Sequence, residues 1–373
     1  MKKKIIRATT VPQSLSFFEG TLPTLTKEHC VQLLSSPGKR LDEIGVKYGI
    51  TTHSVAMARR ISPFGDIKSL FKIIKVFHKE KPYMVHSITP KAGLLCMIGA
   101  RITGVPIRVH TFTGLVWPTA SGFKRCLLKT ADKLICSCAT HIIPEGEGVK
   151  NDLQTSITNK PMGVLGYGNI QGIDMELWDP SRFEISKHDY FQFLFTGRIV
   201  GDKGINELVW AFVQLQKIHP NIRLMLTGAY EKAIDPLLPE TEKQIKENNA
   251  IELNGPFFGD NLVELYAMAD CFVMPSYREG FPNSVLEAGA MGLSQIVTDI
   301  NGSREIIKHG ENGLIVPAKN KEALFDAMLL LYEDEDLRKT LSSKAREMIG
   351  SRFERSFVQK CQLDFYKEVL ENE

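Results

Sequence analysis

The apolar run from Cys271 to Met274 ends at Pro275, and everything up to Pro282 is unable to continue it. Asn283 or Ser284 then caps a helix that starts near Val285. A short buried strand therefore opens straight onto a helix amino terminus, which is the local geometry of a doubly wound α/β sheet. In such sheets ligands bind in the crevice beyond the carboxyl ends of the strands, and free amides there suit an anionic group such as a phosphate. Glu279 on the turn and Glu287 in the early helix can face the same ligand. The same two residues also fit a solvated loop carboxylate and a partner for the helix dipole.

The surrounding sequence repeats this pattern. Strands are expected at 191–195, 224–227, 250–253, 271–274, 294–298 and 314–316, with helices at 205–219, 262–268, 303–309 and 321–332 between or after them. The first strand runs into Thr196-Gly197-Arg198 and then Gly201-Asp202-Lys203-Gly204. Glycines permit close backbone approach there, and Arg198 and Lys203 supply two charge-assisted donors of the kind a diphosphate needs. A glycine-rich turn with exposed bases is the plainer reading. No Gly-Lys-Ser/Thr follows, so this is not a P-loop. Gly228 ends the next strand.

The first half is less regular. A strand is expected at 5–10, a helix at 26–35, and a βαβ unit from two strands, 85–88 and 107–112, bracketing a helix at 91–103; residues 41–58 have no clear pattern. Helices at 66–79 and 121–134 are basic and amphipathic, with Ile67, Leu70, Phe71, Ile74 and Phe77 on one, and Phe123, Leu127, Leu128 and Leu134 on the other. A core-packing face with a solvated lysine edge is the commoner explanation for such helices, and a membrane-surface footprint is the alternative. Charge favours an anionic partner for this half. Residues 1–180 hold 24 Lys+Arg against 13 Asp+Glu, net +11, and the remainder is net −8, together the chain's +3.

The glycines at 166, 168 and 172 are spaced one residue too far apart for a dinucleotide fingerprint, which excludes an NAD site there; a domain boundary near Pro180 is expected instead. Seven scattered cysteines argue for reduced thiols rather than a zinc site or disulfides. The chain shows no signal-peptide pattern and no apolar run of membrane-spanning length, so a cytoplasmic protein is expected. The Asp-x-Asp within 333–336 reads as a solvated surface run, and a last amphipathic helix is expected at 353–370.

Thr196-Gly197-Arg198 with Lys203-Gly204, Pro275-Ser276 with Glu279-Gly280-Phe281-Pro282 and Glu287-Ala288, and Gly302 with Glu305 and Gly310-x-x-Gly313 together resemble glycosyltransferase family 4, in its bacterial polysaccharide-type members. The resemblance covers the second half closely and the first half weakly. It implies the GT-B fold: two facing Rossmann-like domains with a cleft between them, here 1–178 on the acceptor side and 179–373 for the nucleotide sugar, with the last helix a candidate to pack back on the first. It implies a metal-independent, retaining transferase that moves a hexosyl or N-acetylhexosaminyl group from a nucleotide-diphosphate sugar, expected to be UDP-linked, to a glycan acceptor. The net +11 of the first half and its two lysine-rich helices are what make a lipid-linked acceptor at the inner membrane face the expectation.

By the same resemblance, Arg198 and Lys203 hold the diphosphate, and Glu279 contacts the donor sugar beside the amides of Gly280 and Phe281. Pro282 belongs to the same turn, the amides of Asn283, Ser284 and Val285 face the phosphates, and Glu287 accepts the ribose hydroxyls. Gly197 and Gly228 line the donor site. The first domain departs from the family: a single Gly20 stands where many members have a glycine pair, and Thr113 stands where many have a histidine. His110 is then the candidate to bind the sugar or take the acceptor's proton, with a core histidine equally compatible, and Thr113 and Trp117 are substitutes. No cofactor and no metal are expected. A GT-B nucleotide-sugar epimerase and a non-catalytic nucleotide-sugar-binding protein are the alternative functions, and no aromatic-interleaved basic motif supports nucleic-acid binding.

Overall fold

The computed structural model describes residues 2–60, 62–184, 188–233 and 235–371. The chain divides into two compact units: residues 1–172 with 356–373, and residues 173–355.

In the first unit the elements run β1 (Lys4–Ala8), α1 (Ser16–Glu19), α2 (Leu22–Glu28), β2 (Cys30–Ser35), α3 (Lys39–Tyr48), β3 (Thr51–Ser54), α4 (Pro63–Glu80), β4 (Met84–Ile88), α5 (Pro90–Ile102), β5 (Ile107–Phe112), α6 (Gly122–Cys138), β6 (His141–Pro144) and α7 (Glu147–Ser156). The six strands form one parallel sheet in the order β3-β2-β1-β4-β5-β6. Alternate residues of β1 and β4 feed opposite cores. Ile6, Ala8 and Val85 join Ile73, Leu95 and Ile135 beneath α4, α5 and α6. Ile5 and Met84 join Phe18, Leu25 and Ile44 beneath α1 to α3. Burial on both faces is why these strands are apolar without alternation.

The expected helix at 26–35 is a correction: α2 ends at Glu28, and Cys30–Ser35 is a strand paired in parallel with β1, Lys4 opposite Cys30. Val31, Leu33 and Leu34 fit a helical period as well as a doubly buried strand, and the free partner edge of β1 decides.

The second unit runs β7 (Phe191–Thr196), α8 (Ile205–Ile218), β8 (Ile222–Thr227), α9 (Pro239–Glu247), β9 (Ile251–Asn254), α10 (Asp260–Ala267), β10 (Cys271–Met274), α11 (Asn283–Ala290), β11 (Ser294–Thr298), α12 (Ser303–Ile306), β12 (Leu314–Val316), α13 (Lys321–Glu333) and α14 (Glu335–Phe353). Its sheet order is β12-β11-β10-β7-β8-β9, the same winding as the first sheet. The order reverses between β7 and β10, which pair directly with Cys271 opposite Phe193. That reversal is the switch point, where the loops leaving two neighbouring strands part to opposite faces and leave a crevice.

The last helix, α15 (Arg355–Glu371), packs on the first unit, where Tyr366, Val369 and Leu370 are buried with Phe18 and Ile5. Of the Asp-x-Asp run, Asp334 lies between α13 and α14 and accepts a hydrogen bond from the Leu337 amide at 2.8 Å as the α14 cap, and Asp336 belongs to the first turn of α14.

Candidate active site

The loops leaving β7 and β10 meet at the switch point of the second sheet. Gly204 makes this possible: at φ +72°, a side chain on it would overlap the carbonyl of Pro275. The loops are then joined by an ion pair of 2.7 Å from Arg278 to Asp202 and by the Tyr277 amide donating to the Asp202 carbonyl at 2.9 Å. This clasp brings Lys203 against Glu279. The two form an ion pair in which both side chains are largely buried, and Ser276 donates its hydroxyl to the same Glu279 oxygen at 2.7 Å.

A pocket of about 400 Å³ opens here, lined by Gly197, Lys203, Gly228, Glu279, Ser284 and Glu287 among others. Its apolar wall comes from Phe257, Leu262 and Met274. Gly228, at φ +145°, is packed so tightly on the Gly197 carbonyl that no side chain fits, so the backbone itself forms this side of the pocket.

Glu287 is held by a residue with no sequence signature. Tyr266, fully buried on α10, donates its hydroxyl to Glu287 Oε2 at 2.9 Å and shares a hydrogen bond with Thr196 at the end of β7. Burial pushes the Glu287 carboxyl up to about 7, against the opposing effect of the tyrosine's bond. In the sequence Tyr266 reads only as an apolar position of a helix; nothing local marks its hydroxyl as a carboxylate's partner.

Of the residues singled out from sequence, Gly197, Lys203, Gly228, Glu279, Phe281, Pro282, Asn283, Ser284 and Glu287 line this one pocket. Arg198 is half-exposed on the same loop and paired with Glu231 at 3.1 Å. Val285 differs: its side chain is fully buried and its amide donates to the Pro282 carbonyl at 3.1 Å, because the helix starts two residues earlier than expected, at Asn283. Gly280 packs its carbonyl on Gly302, itself at φ +76°. Phe281 also anchors the loop, its ring edge-on to Phe353 at 5.3 Å.

The candidates in the first unit lie in other surroundings. His110, on β5, is 1% exposed, hydrogen-bonded through Nδ1 to Ser87 at 2.8 Å and packed against Gly93 and Phe112. Burial lowers its pKa to about 3, so the ring is neutral. Trp117 is also buried, with Lys129 and Arg125 over its ring, which leaves it no open face for a sugar. Thr113 is half-buried just after β5, and Gly20 is exposed at the end of α1 beneath the side chain of Gln359.

Two doubly wound parallel sheets define the chain as a two-unit Rossmann-type α/β protein, and solved structures share this fold. A glycosyltransferase from Rickettsia africae superposes with a TM-score of 0.78 at 19% identity over 100% of both chains. Anabaena HepE, crystallised with UDP and glucose, superposes with a TM-score of 0.79 at 16% identity, over 98% of this chain and 100% of its own. Both carry the GT-B fold, and so does this chain.

Residues 179–348 match the family model described as glycosyl transferases group 1, and residues 23–145 match glycosyl transferase 4-like. The capsular polysaccharide biosynthesis glycosyltransferase CapM of Staphylococcus aureus is 34% identical over 95% of this chain and 94% of its own length. The UDP-Gal:alpha-D-GlcNAc-diphosphoundecaprenol alpha-1,3-galactosyltransferase of Escherichia coli is 27% identical over 80% of this chain and 78% of its own. The chain belongs to glycosyltransferase family 4, and it is a glycosyltransferase.

Proposed function

We propose that this protein is a retaining transferase that moves a sugar from a UDP-sugar to a lipid-linked glycan acceptor during assembly of a surface polysaccharide. The observation that carries the reading is the convergence of Lys203, Glu279 and Glu287 on one pocket at the switch point of the second sheet. An anionic diphosphate between Arg198, Lys203 and the amino terminus of α11 meets positive charge from three directions. Glu287 then lies one helical turn deeper, placed to accept the ribose hydroxyls, and Phe257 and Leu262 offer an apolar wall to the base.

In the transfer, the acceptor hydroxyl oxygen bonds to the anomeric carbon as the bond from that carbon to the phosphate oxygen breaks. The electron pair leaves on the nucleoside diphosphate, and the hydroxyl proton passes to the departing phosphate oxygen. Lys203 and Arg198 lower the barrier by stabilising charge that grows on the diphosphate as it leaves. Glu279, tied to Lys203 and Ser276, orients the sugar. His110 has no open surface in this reading and positions β5 rather than touching substrate. No metal ion takes part in it.

The acceptor class rests on the relatives: the Escherichia coli enzyme is named for a diphosphoundecaprenol-linked acceptor, as is an N-acetylgalactosaminyltransferase of Campylobacter jejuni, 26% identical over 90% of this chain. The alpha linkage in both names supports retention. The deciding experiment is a panel of nucleotide sugars with lipid-linked acceptors, followed by mass and anomeric analysis of the products. A single UDP-sugar giving an α-linked product is expected; conversion of a donor without any acceptor identifies an epimerase instead. Lys203→Ala should lower kcat about 100-fold. If the variant turns over normally, Lys203 does not stabilise the leaving group.

A further inference from the structure

Helices α4, α5 and α6 cover one face of the first sheet, with α5 packed against both of its neighbours. The side of α4 that enters the core is Ser69, Ile73 and Phe77. Phe64, Ile67 and Phe71, spaced i, i+3 and i+7, point away from it and are 91%, 53% and 63% exposed. On α6 the core side is Asp132, Ile135 and Cys136, while Phe123 and Leu127, one turn apart, are 83% and 38% exposed. Both helices follow a strand of the parallel sheet, so Phe64 and Phe123, in the first turns of their helices, lie toward the strands' carboxyl edge, with Phe71 midway along α4.

The charges beside these stripes have one sign. Lys68, Lys72, Lys75, Lys124, Arg125 and Lys133 are exposed. The carboxylates on the two helices are withdrawn: Asp66 is paired with Lys91, Glu80 with Lys4 at 2.9 Å, and Asp132 is buried. A partner must therefore accept large apolar side chains and offer negative charge around them. An anionic lipid bilayer does both, since rings and aliphatic chains enter the boundary between headgroups and acyl chains while lysines meet the headgroups.

We propose that Phe64, Ile67 and Phe71 of α4, with Phe123 and Leu127 of α6, form a membrane-docking surface that inserts into an anionic leaflet, ringed by the lysines of the same two helices. The surface gives the lipid-linked acceptor of the proposed function a place of encounter, and its purpose rests on that reading. Its binding to lipid does not, because docking is measured without donor or acceptor.

The test is flotation of the full chain with vesicles of phosphatidylcholine alone or with phosphatidylglycerol added. Binding to the phosphatidylglycerol vesicles that weakens with salt, and little binding to phosphatidylcholine, is expected. The exposed triple variant Phe64→Ser, Phe71→Ser, Phe123→Ser should lose at least about tenfold in vesicle affinity, as should Lys68→Glu with Lys72→Glu. Both variants should keep the wild-type circular dichroism and UDP affinity, because none of these residues enters the core or the nucleotide pocket. Wild-type protein that stays with the buffer, or a triple variant that floats undiminished, overturns the proposal. So does self-association or capture of a protein partner that the triple variant abolishes while vesicles bind neither form. Failure of UDP to bind the wild-type chain would count against the transferase reading and leave this one standing.

Discussion

Glu287 is the residue whose environment makes the sharpest prediction. Its folded value of about 7 lies above the 4.5 of an unperturbed glutamate, so the folded chain holds this proton to higher pH than the unfolded chain does. The stability this adds is complete below about 4.5 and is lost as pH rises through about 7. Ribose hydroxyls are donors and are best met by the ionised carboxylate, so in calorimetric titrations UDP should bind more tightly as pH rises from about 6 to about 8. Glu287→Gln should flatten that dependence, and Glu287→Ala should weaken UDP binding about 10- to 100-fold. A wild-type affinity independent of pH over that range would show that Glu287 does not meet the ribose. Gly228 makes a second prediction at this scale. Gly228→Ala forces a side chain into the Gly197 carbonyl at a backbone angle that only glycine adopts readily. The variant should lose about 1–3 kcal/mol of stability in urea titrations and most of its nucleotide affinity.

At the scale of single elements, periodicity found the second sheet because each of its strands is a short apolar run bounded by glycine, proline or polar turns. Ser294–Thr298 and Leu314–Val316 fall where the pattern puts them. It failed where two elements adjoin without punctuation, as α2 and β2 do across a single histidine. It also left β6, α7, α9 and α14 unassigned, while the last helix expected at 353–370 corresponds to α15. The amphipathic helices were legible as helices, but their buried side was not. Apolar residues on α4 outnumber what the core can take, and only the packed neighbours show that Ile73 and Phe77 go in while Phe64 and Phe71 stay out. Helix ends, by contrast, follow local rules. Asn320 accepts a hydrogen bond from the Ala323 amide at 2.9 Å at the start of α13. Asn320→Ala should cost about 1 kcal/mol by chemical denaturation, without changing transfer activity.

For the whole molecule, the informative feature is that the chain leaves the first unit at 172 and its last helix returns to it. Ile173 and Glu354 lie side by side as a parallel bridge, with the Ile173 amide donating to the Phe353 carbonyl at 2.8 Å and the Arg355 amide to the Ile173 carbonyl at 2.8 Å. Helix α15 then covers a polar network: Tyr366 hydrogen-bonds His86 at 2.6 Å, and His86 reaches Thr111 at 2.8 Å. Fully buried Arg7 stacks on Phe18 beside it and donates to Thr21 at 2.7 Å. Removing residues 356–371 uncovers this network and the apolar groups around Tyr366. Hydrogen exchange should then show lost protection in β1, β2 and β4, with β7 to β12 protected as before. Uniform loss in both sheets would mean that the two units do not hold their structure separately.

By itself the sequence determined the α/β class, the strands of the second sheet and the segments from which its pocket is built. Those depend on short-range rules: where a strand must stop, where a helix can start, and where glycine alone lets two backbones meet. Only the tertiary structure decided that Lys203 pairs with Glu279, that Tyr266 holds Glu287, that His110 and Trp117 are buried, and that Phe64 and Phe123 face outward. Each of these is set by which side chain arrives from a distant part of the chain. Burial and partnership are properties of such encounters, and no local pattern encodes them.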